Sequence, residues 1–318
     1  MLLQQNDGKR KLISLVIPVY NEEQNIERCY QELSKIIDTL SDYAFEFVFT
    51  DNCSSDNSYT LLKKLAATDP RVRAFSFSRN YGYQRSIYTG LSLAQGNAAV
   101  VFDCDLQDPP ELLPEFIRNW RLGYHVVYGV RIKRKEGQII TFVRKCFYRL
   151  INILSETSLP LDSGDFRLID RRILNILKSI PEQQPYLRGI IASLGFKQIG
   201  VPYARNKRMA GKSKFNLASM ISLAIDGIVS HSVIPLKIPT YIGLTTSAIT
   251  AIIIVVLIAT KLWFNVNWPP GFTTITILLL FIISLNALFF GIIGEYLARM
   301  YKQVLSRPIT IIEHSTED

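Results

Sequence analysis

Two long stretches of this chain contain no charged side chain: neither Ile238 to Thr260 nor Leu262 to Gly294 has an Asp, Glu, Lys or Arg. That absence argues against buried helices of a soluble protein, because each run supplies a helix of ~20 residues that spans ~30 Å of hydrocarbon. Cysteine is scarce too. Cys29, Cys53, Cys104 and Cys146 show no C-x-x-C spacing and no nearby paired histidine, which removes zinc and redox motifs and leaves reduced packing residues. No G-x-G-x-x-G follows the first apolar run and no G-x-x-x-x-G-K-[ST] occurs anywhere, so dinucleotide oxidoreductases and P-loop enzymes lose their signature. Met1 to Lys11 is polar and lacks the apolar core of a signal peptide; the first two-thirds of the chain is expected in the cytosol.

The two uncharged runs are read as a hairpin of transmembrane helices. Trp263, Asn265, Asn267, Trp268, Pro269, Pro270 and Gly271 make a short turn with interfacial tryptophans. Arg205, Lys207, Arg208, Lys212, Lys214 and Lys237 precede the first span, Arg299, Lys302 and Arg307 follow the second, and only Lys261 lies beside the turn. Both ends therefore face the cytoplasm. The chain divides into an α/β domain over 1–204, a basic loop and amphipathic juxtamembrane helix over 205–237, two spans over 238–298 and a cytosolic tail over 299–318. The helix is drawn from Leu217, Ile221, Ala224, Ile225 and Ile228 on one face against Ser219, Ser222, Asp226 and Ser230 on the other. A net charge of +9 fits attraction to anionic lipid at least as well as nucleic acid, and the membrane, with no nucleic acid, is the expected partner.

The first two-thirds alternates strands with helices. Leu12 to Tyr20, Phe45 to Thr50, Val72 to Phe77, Ala98 onward and Val126 to Gly129 read as strands. Asn21 with Gln24 reads as a helix N-cap, as does Asp56. Alternation of this kind predicts a mainly parallel sheet whose ligand crevice lies at the carboxyl ends of its strands. Four polar clusters fall there: Pro18 to Glu23, Asp51 to Asp56, Ser78 to Gly82 and Asp103 to Glu111. In the last, alternation puts Asp103 and Asp105 on one face with Cys104 pointing back, and Pro109-Pro110 stops the strand. Two carboxylates so placed repel unless a cation or a proton intervenes, and a hard divalent ion completed by a diphosphate resolves the conflict.

Ser14-Leu15-Val16-Ile17-Pro18-Val19-Tyr20-Asn21-Glu22-Glu23, the Asp51 cluster, Ser78-Arg79-Asn80-Tyr81-Gly82 and Asp103-Cys104-Asp105-Leu106-Gln107-Asp108-Pro109-Pro110-Glu111 together resemble the inverting family-2 glycosyltransferases with a GT-A, Rossmann-like fold. Ser163-Gly164-Asp165-Phe166-Arg167-Leu168 and the basic Arg205 to Phe215 segment look like the polyprenyl-phosphate branch, which includes dolichyl-phosphate mannose synthase. With two C-terminal spans, the bactoprenol glucosyltransferase group is nearest. The family usually has Asp-Asp-Gly-Ser after the second strand; here stands Asp51-Asn52-Cys53-Ser54. That departure puts a nucleotide or metal role at the second position in doubt, and Asn52 and Cys53 equally read as shaping a turn.

The resemblance implies a site. Asp103 and Asp105, with Gln107 as a further ligand or sugar contact, would hold Mg2+ or Mn2+ against the donor diphosphate. Pro18, Tyr20, Glu22, Asp51 and Asn80 are expected around the nucleotide sugar, Asp51 accepting hydrogen bonds from uracil or ribose. Asp165 is expected near the acceptor, as a base or an orienting group, with a buried pair to Arg167 as the alternative. Arg131 is expected on phosphate, while Lys133, Arg134 and Lys135 read as a solvated or lipid-facing run. Arg205, Lys212, Ser213 and Lys214 form an expected phosphate-binding loop around Gly211. His231, alone, reads as structural.

The expected activity is inverting transfer of a hexose, glucose from UDP-glucose first, to undecaprenyl phosphate at the cytoplasmic membrane face. GDP-mannose is the alternative donor. A processive polysaccharide synthase should carry Q-x-x-R-W and more spans, and has neither here. A non-catalytic membrane scaffold with a dead transferase domain is the rival of another class. The oligomeric state, a homo-oligomer included, stays open.

Overall fold

The computed structural model describes residues 10–131, 163–180, 182–183, 185–204 and 271–317, with Ile242, Thr245 and Ile252 besides. Strand β1 (Lys11–Val19) is buried without interruption from Ile13 to Val19, because helices cover both faces of its sheet. Alternation sorts its side chains: Ile13, Leu15, Ile17 and Val19 join one core layer, and Val16 the other. Helix α1 (Ile26–Asp38), β2 (Tyr43–Asp51), α2 (Ser58–Thr68), β3 (Val72–Phe77), α3 (Tyr83–Leu93) and β4 (Ala98–Val101) follow in strict alternation. β1 pairs in parallel with β2 and β4, and β2 with β3. Helix α3 lies so close on β1 that a Cβ at Gly90 would stand 2.4 Å from Val16 Cγ1.

Helix α4 (Leu113–Arg121) leads to β5 (Val126–Arg131), and then come β6 (Ser163–Asp170), α5 (Arg171–Ser179), α6 (Leu187–Ser193) and β7 (Gln198–Tyr203). β6 runs antiparallel to both β4 and β5, whereas β7 is parallel to β5. The order is β7-β5-β6-β4-β1-β2-β3-β8. The sheet is therefore mixed where the sequence predicted mainly parallel pairing.

The last member, β8 (Ile312–Ser315), is antiparallel to β3. Residues read from the sequence as a tail thus complete the sheet. The strand follows α7 (Phe272–Val304), a helix of 33 residues and so ~50 Å long. Its C-terminal end is tied to the loop before α6: Gln183 N donates to Gln303 Oε1 at 3.1 Å, and Gln183 Nε2 to Arg307 O. Ile275, Leu278, Leu279, Ile282 and Phe290 of α7 are exposed. Among the described residues, no helix is long and apolar enough to cross a membrane. The first expected span, the juxtamembrane helix with His231, the run Lys133 to Lys135, Cys146, and the loop with Arg205, Lys212, Ser213 and Lys214 lie outside the described residues.

Three local expectations are corrected. α1 starts at Ile26, with Asn25 before it. Asn21 instead adopts φ 53°, and its Oδ1 accepts from Ser55 N at 2.8 Å, joining the first two crevice loops. β4 ends at Val101, so Asp103 and Asp105 sit on a turn, where Leu106 N donates to Asp103 O and Leu106 takes φ 52°. Cys104 and Cys29 are free and buried as expected of packing residues, but Cys53 is exposed.

Candidate active site

The carboxyl ends of β1, β2, β3 and β4 carry the four polar clusters, and hydrogen bonds stitch them into one rim. Glu22 N donates to Ser58 Oγ at 3.0 Å, Glu23 N to Asp56 Oδ2 at 3.3 Å, and Asp56 Oδ1 accepts from Ser58 N at the start of α2. Tyr20 is 38 % exposed on this rim, whereas Pro18 is buried in β1. The Glu22 carboxylate accepts from the Asn25 side chain.

Asp51 is 1 % exposed. Its Oδ2 accepts from Ser76 Oγ at 2.6 Å and its Oδ1 from Ser54 N at 3.2 Å, so the fold itself uses the oxygens expected to meet a base or ribose. Asn52 explains the departure noted above. Its Nδ2 donates to Asn80 Oδ1 at 2.8 Å, and its Oδ1 accepts from Tyr81 N at 2.8 Å. A carboxylate could accept but not donate. Asn80 Oδ1 also accepts from Gly82 N at 2.9 Å, so Asn52 and Asn80 build the loop between β3 and α3.

That loop delivers Tyr83 and Gln84 to the carboxylates. Tyr83 Oη donates to Asp103 Oδ1 at 2.5 Å. Burial first, then the negative charges of Asp108, Asp105 and Asp165, push the Asp103 carboxyl up to about 7 against the hydrogen bond from Tyr83. Asp105 Oδ1 accepts from Gln107 N at 3.2 Å, which holds Gln107 on the same turn. Asp108, 2 % exposed, accepts from Tyr203 Oη and pairs with Arg131 at 3.6 Å, while Arg131 Nε donates to Tyr203 Oη at 3.1 Å. Gly164 leaves room for the Arg131 guanidinium, since a Cβ there would stand 2.8 Å from Arg131 Nη2 and push the side chain aside. Arg131 is thus positioned from β5 beside Asp108, within the electrostatic reach of Asp103.

Asp165 projects from β6, 8 % exposed. Its partner is Arg188 of α6: Nε donates to Oδ1 at 2.9 Å and Nη2 to Oδ2 at 2.8 Å, with Gln84 Nε2 adding a bond at 3.2 Å. Burial alone would raise this carboxyl, but the Arg188 guanidinium outweighs it and holds the group down at about 2. Arg167, the partner considered from sequence, donates instead to Gly164 O at 2.8 Å.

An acidic turn, a half-buried arginine and a second carboxylate clamped by arginine thus face one another at the mouth of an α/β sheet. The Glycosyl transferase family 2 profile matches residues 14–177, which include every strand that bears these groups except β7. The chain belongs to glycosyltransferase family 2. It is 40 % identical over 306 residues to an uncharacterized glycosyltransferase of Bacillus subtilis, covering 95 % of this chain and 93 % of that protein. It is 36 % identical over 304 residues to the SfII prophage-derived bactoprenol glucosyl transferase of Shigella flexneri, covering 95 % and 98 %. Among solved structures, a mannosyltransferase of Pyrobaculum calidifontis in complex with GDP-Man and Mn2+ superposes with a TM-score of 0.45 at 16 % identity, covering 91 % and 88 %. The sheet of this family-2 glycosyltransferase is the GT-A α/β arrangement expected above.

Tyr83, Gln84, Asp108, Arg188 and Tyr203 are site residues that sequence reasoning passed over. Tyr83 and Gln84 follow directly on the Asn80 motif, and that adjacency was an available signal. Arg188 and Tyr203 carried none, because only the return of α6 and β7 brings them to the mouth.

The chemistry of the turn fits a divalent cation. Among the described residues, no three His, Cys, Asp or Glu side chains form a ready-made cage. Asp103 and Asp105 are hard oxygen donors, and small divalent cations commonly take one or two carboxylates and complete their shell with substrate phosphates. A carboxyl raised to about 7 by burial first and by neighbouring carboxylates after it marks a place where a cation lowers the electrostatic energy.

Proposed function

We propose that this glycosyltransferase moves glucose from UDP-glucose to undecaprenyl phosphate, inverting the anomeric centre, at the cytoplasmic face of a membrane that its two C-terminal spans enter. The observation that carries the reading is the pairing across one mouth of the acidic turn of Asp103 and Asp105 with an Asp165 whose oxygens are occupied by Arg188. The acidic turn suits a donor diphosphate with its cation. A carboxylate held at about 2 makes a poor proton acceptor near neutral pH, and a phosphate monoester with a second pKa of about 6 needs little help to become a nucleophile. The name of the Shigella relative, which nearly the whole chain matches, supports glucose and the lipid acceptor.

In this reading Asp103 and Asp105 would hold Mg2+ or Mn2+, which supplies charge neutralisation on the departing diphosphate. Tyr83 orients Asp103, Arg131 faces the phosphates from β5, and the rim from Tyr20 to Glu22 flanks the nucleotide. Exposed apolar side chains along α7, among them Leu278, Leu279, Ile282 and Phe290, support a lipid surrounding. Purified protein is incubated with UDP-glucose, other nucleotide sugars and undecaprenyl phosphate, and the lipid is analysed by mass spectrometry. A glucosyl phospholipid formed with UDP-glucose is the expected product; hydrolysis of the donor with no lipid product would overturn the acceptor assignment.

A further inference from the structure

Asp165 and Arg188 are unequally placed. The side chain of Arg188 is 29 % exposed and that of Asp165 is 8 % exposed, so the arginine is the member of the pair that faces the mouth. A guanidinium carries five N–H donors. Among the described residues Arg188 spends Nε and Nη2 on Asp165, and Nη1 takes no partner there. Both Asp165 oxygens accept from Arg188, and Gln84 adds a third bond, an arrangement that fixes a guanidinium plane. Tyr83, which touches Asp103, also lies within electrostatic reach of Arg188. Arg188 therefore lies near the acidic turn, where the two substrates of the proposed reaction meet.

We infer that Arg188 binds the acceptor's phosphate and that Asp165 is its positioning residue, holding the guanidinium fork in place. This rests on the reading of the acceptor as a polyprenyl phosphate. A planar fork suits phosphate oxygens in a way that a point charge does not. During transfer, one phosphate oxygen forms the bond to the anomeric carbon while the bond from that carbon to the diphosphate breaks. The electron pair leaves with the nucleoside diphosphate, and no proton has to be taken up by the protein.

The test uses the full-length protein in detergent, with farnesyl phosphate as the acceptor probe and UDP as the donor probe, both titrated by calorimetry. Arg188→Gln alone strands a buried carboxylate, so the double variant Arg188→Gln, Asp165→Asn keeps a neutral hydrogen-bonding pair and is checked for folding by its Tm. Its affinity for farnesyl phosphate is expected to fall roughly 10- to 100-fold, the loss of one or two charge-assisted hydrogen bonds, while its affinity for UDP changes little. Asp165→Asn alone is expected to lose much less, and Arg188→Lys to raise the acceptor KM with the donor KM unchanged. Wild-type affinity in the double variant, a loss that falls on UDP, or an Asp165→Asn protein that binds normally but no longer turns over would each overturn the inference. Were the wild type itself to bind no farnesyl phosphate and form no lipid product, the proposed acceptor would fall first, and this assignment with it.

Discussion

Asn52 uses both ends of its amide, donating to Asn80 and accepting from the Tyr81 amide. Asn52→Asp keeps the acceptor and removes the donor, turning a buried bond into a contact between two acceptors. The expected cost is about 1–3 kcal/mol, read from urea denaturation, together with a looser loop over 78–82. Asp103 works in the opposite sense, since its carboxyl is pushed up to about 7, above the ordinary carboxylate value of ~3.9. A raised group favours the fold when protonated, so its contribution is fully present below pH ~4 and is lost as pH rises through about 7. The cation-free Asp103→Asn protein should therefore be more stable at pH 8, with a Tm higher by roughly 2–4 °C per kcal/mol recovered, and should lose transfer activity. Binding of Mn2+ to the wild type, followed by titration, should weaken from pH 8 to pH 6 because a protonated Asp103 is a poor ligand.

Strand β8 works at the scale of the element. Between the end of α7 and Glu317 the chain is sewn to the α/β domain at each step: Thr310 Oγ1 meets Thr89 Oγ1 at 2.8 Å, Ser78 N donates to Ile311 O at 3.0 Å, Ala74 N donates to Thr316 Oγ1 at 2.9 Å, and Arg73 pairs with Glu317. Ser78 opens the loop that carries Asn80 and leads to Tyr83, so the strap supports the rim as well as the sheet edge. Ending the chain after Arg307 bares the N–H and C=O groups of β3. Hydrogen exchange should then speed up over 72–82, and the donor KM should rise. Unchanged exchange in that segment would show that β3 holds its loop unaided.

The whole molecule is constrained by the membership of β7 and β8 in one sheet. Whatever crosses a membrane between Tyr203 and Ile312 must cross an even number of times, because both strands lie on the same side. A hairpin satisfies that parity and a single span does not. A reporter fused after Asp318 should accordingly face the same compartment as one fused before Met1, as measured by labelling in intact cells. Opposite sides for the two ends are incompatible with the sheet.

Strands β1 to β5 were legible in the sequence because their signal is local. Apolar runs that give way to polar residues, at Asn21 after β1, at Asp51 in β2 and at Asp103 after β4, report burial and its end within a few residues. The acidic turn, its neighbouring rim and the glycosyltransferase resemblance were legible for the same reason. Tertiary structure decided the partners. Arg188 lies 23 residues from Asp165, and Glu317 lies 244 from Arg73, distances over which the sequence carries no spacing rule. Asp165 and Arg167 stand two residues apart on one strand, yet the packing of α6 brings Arg188 to Asp165 while Arg167 bonds to Gly164 O. Local composition chose the elements and the carboxylates; the non-local packing of α3, α6 and β8 against the sheet determined which charges they face.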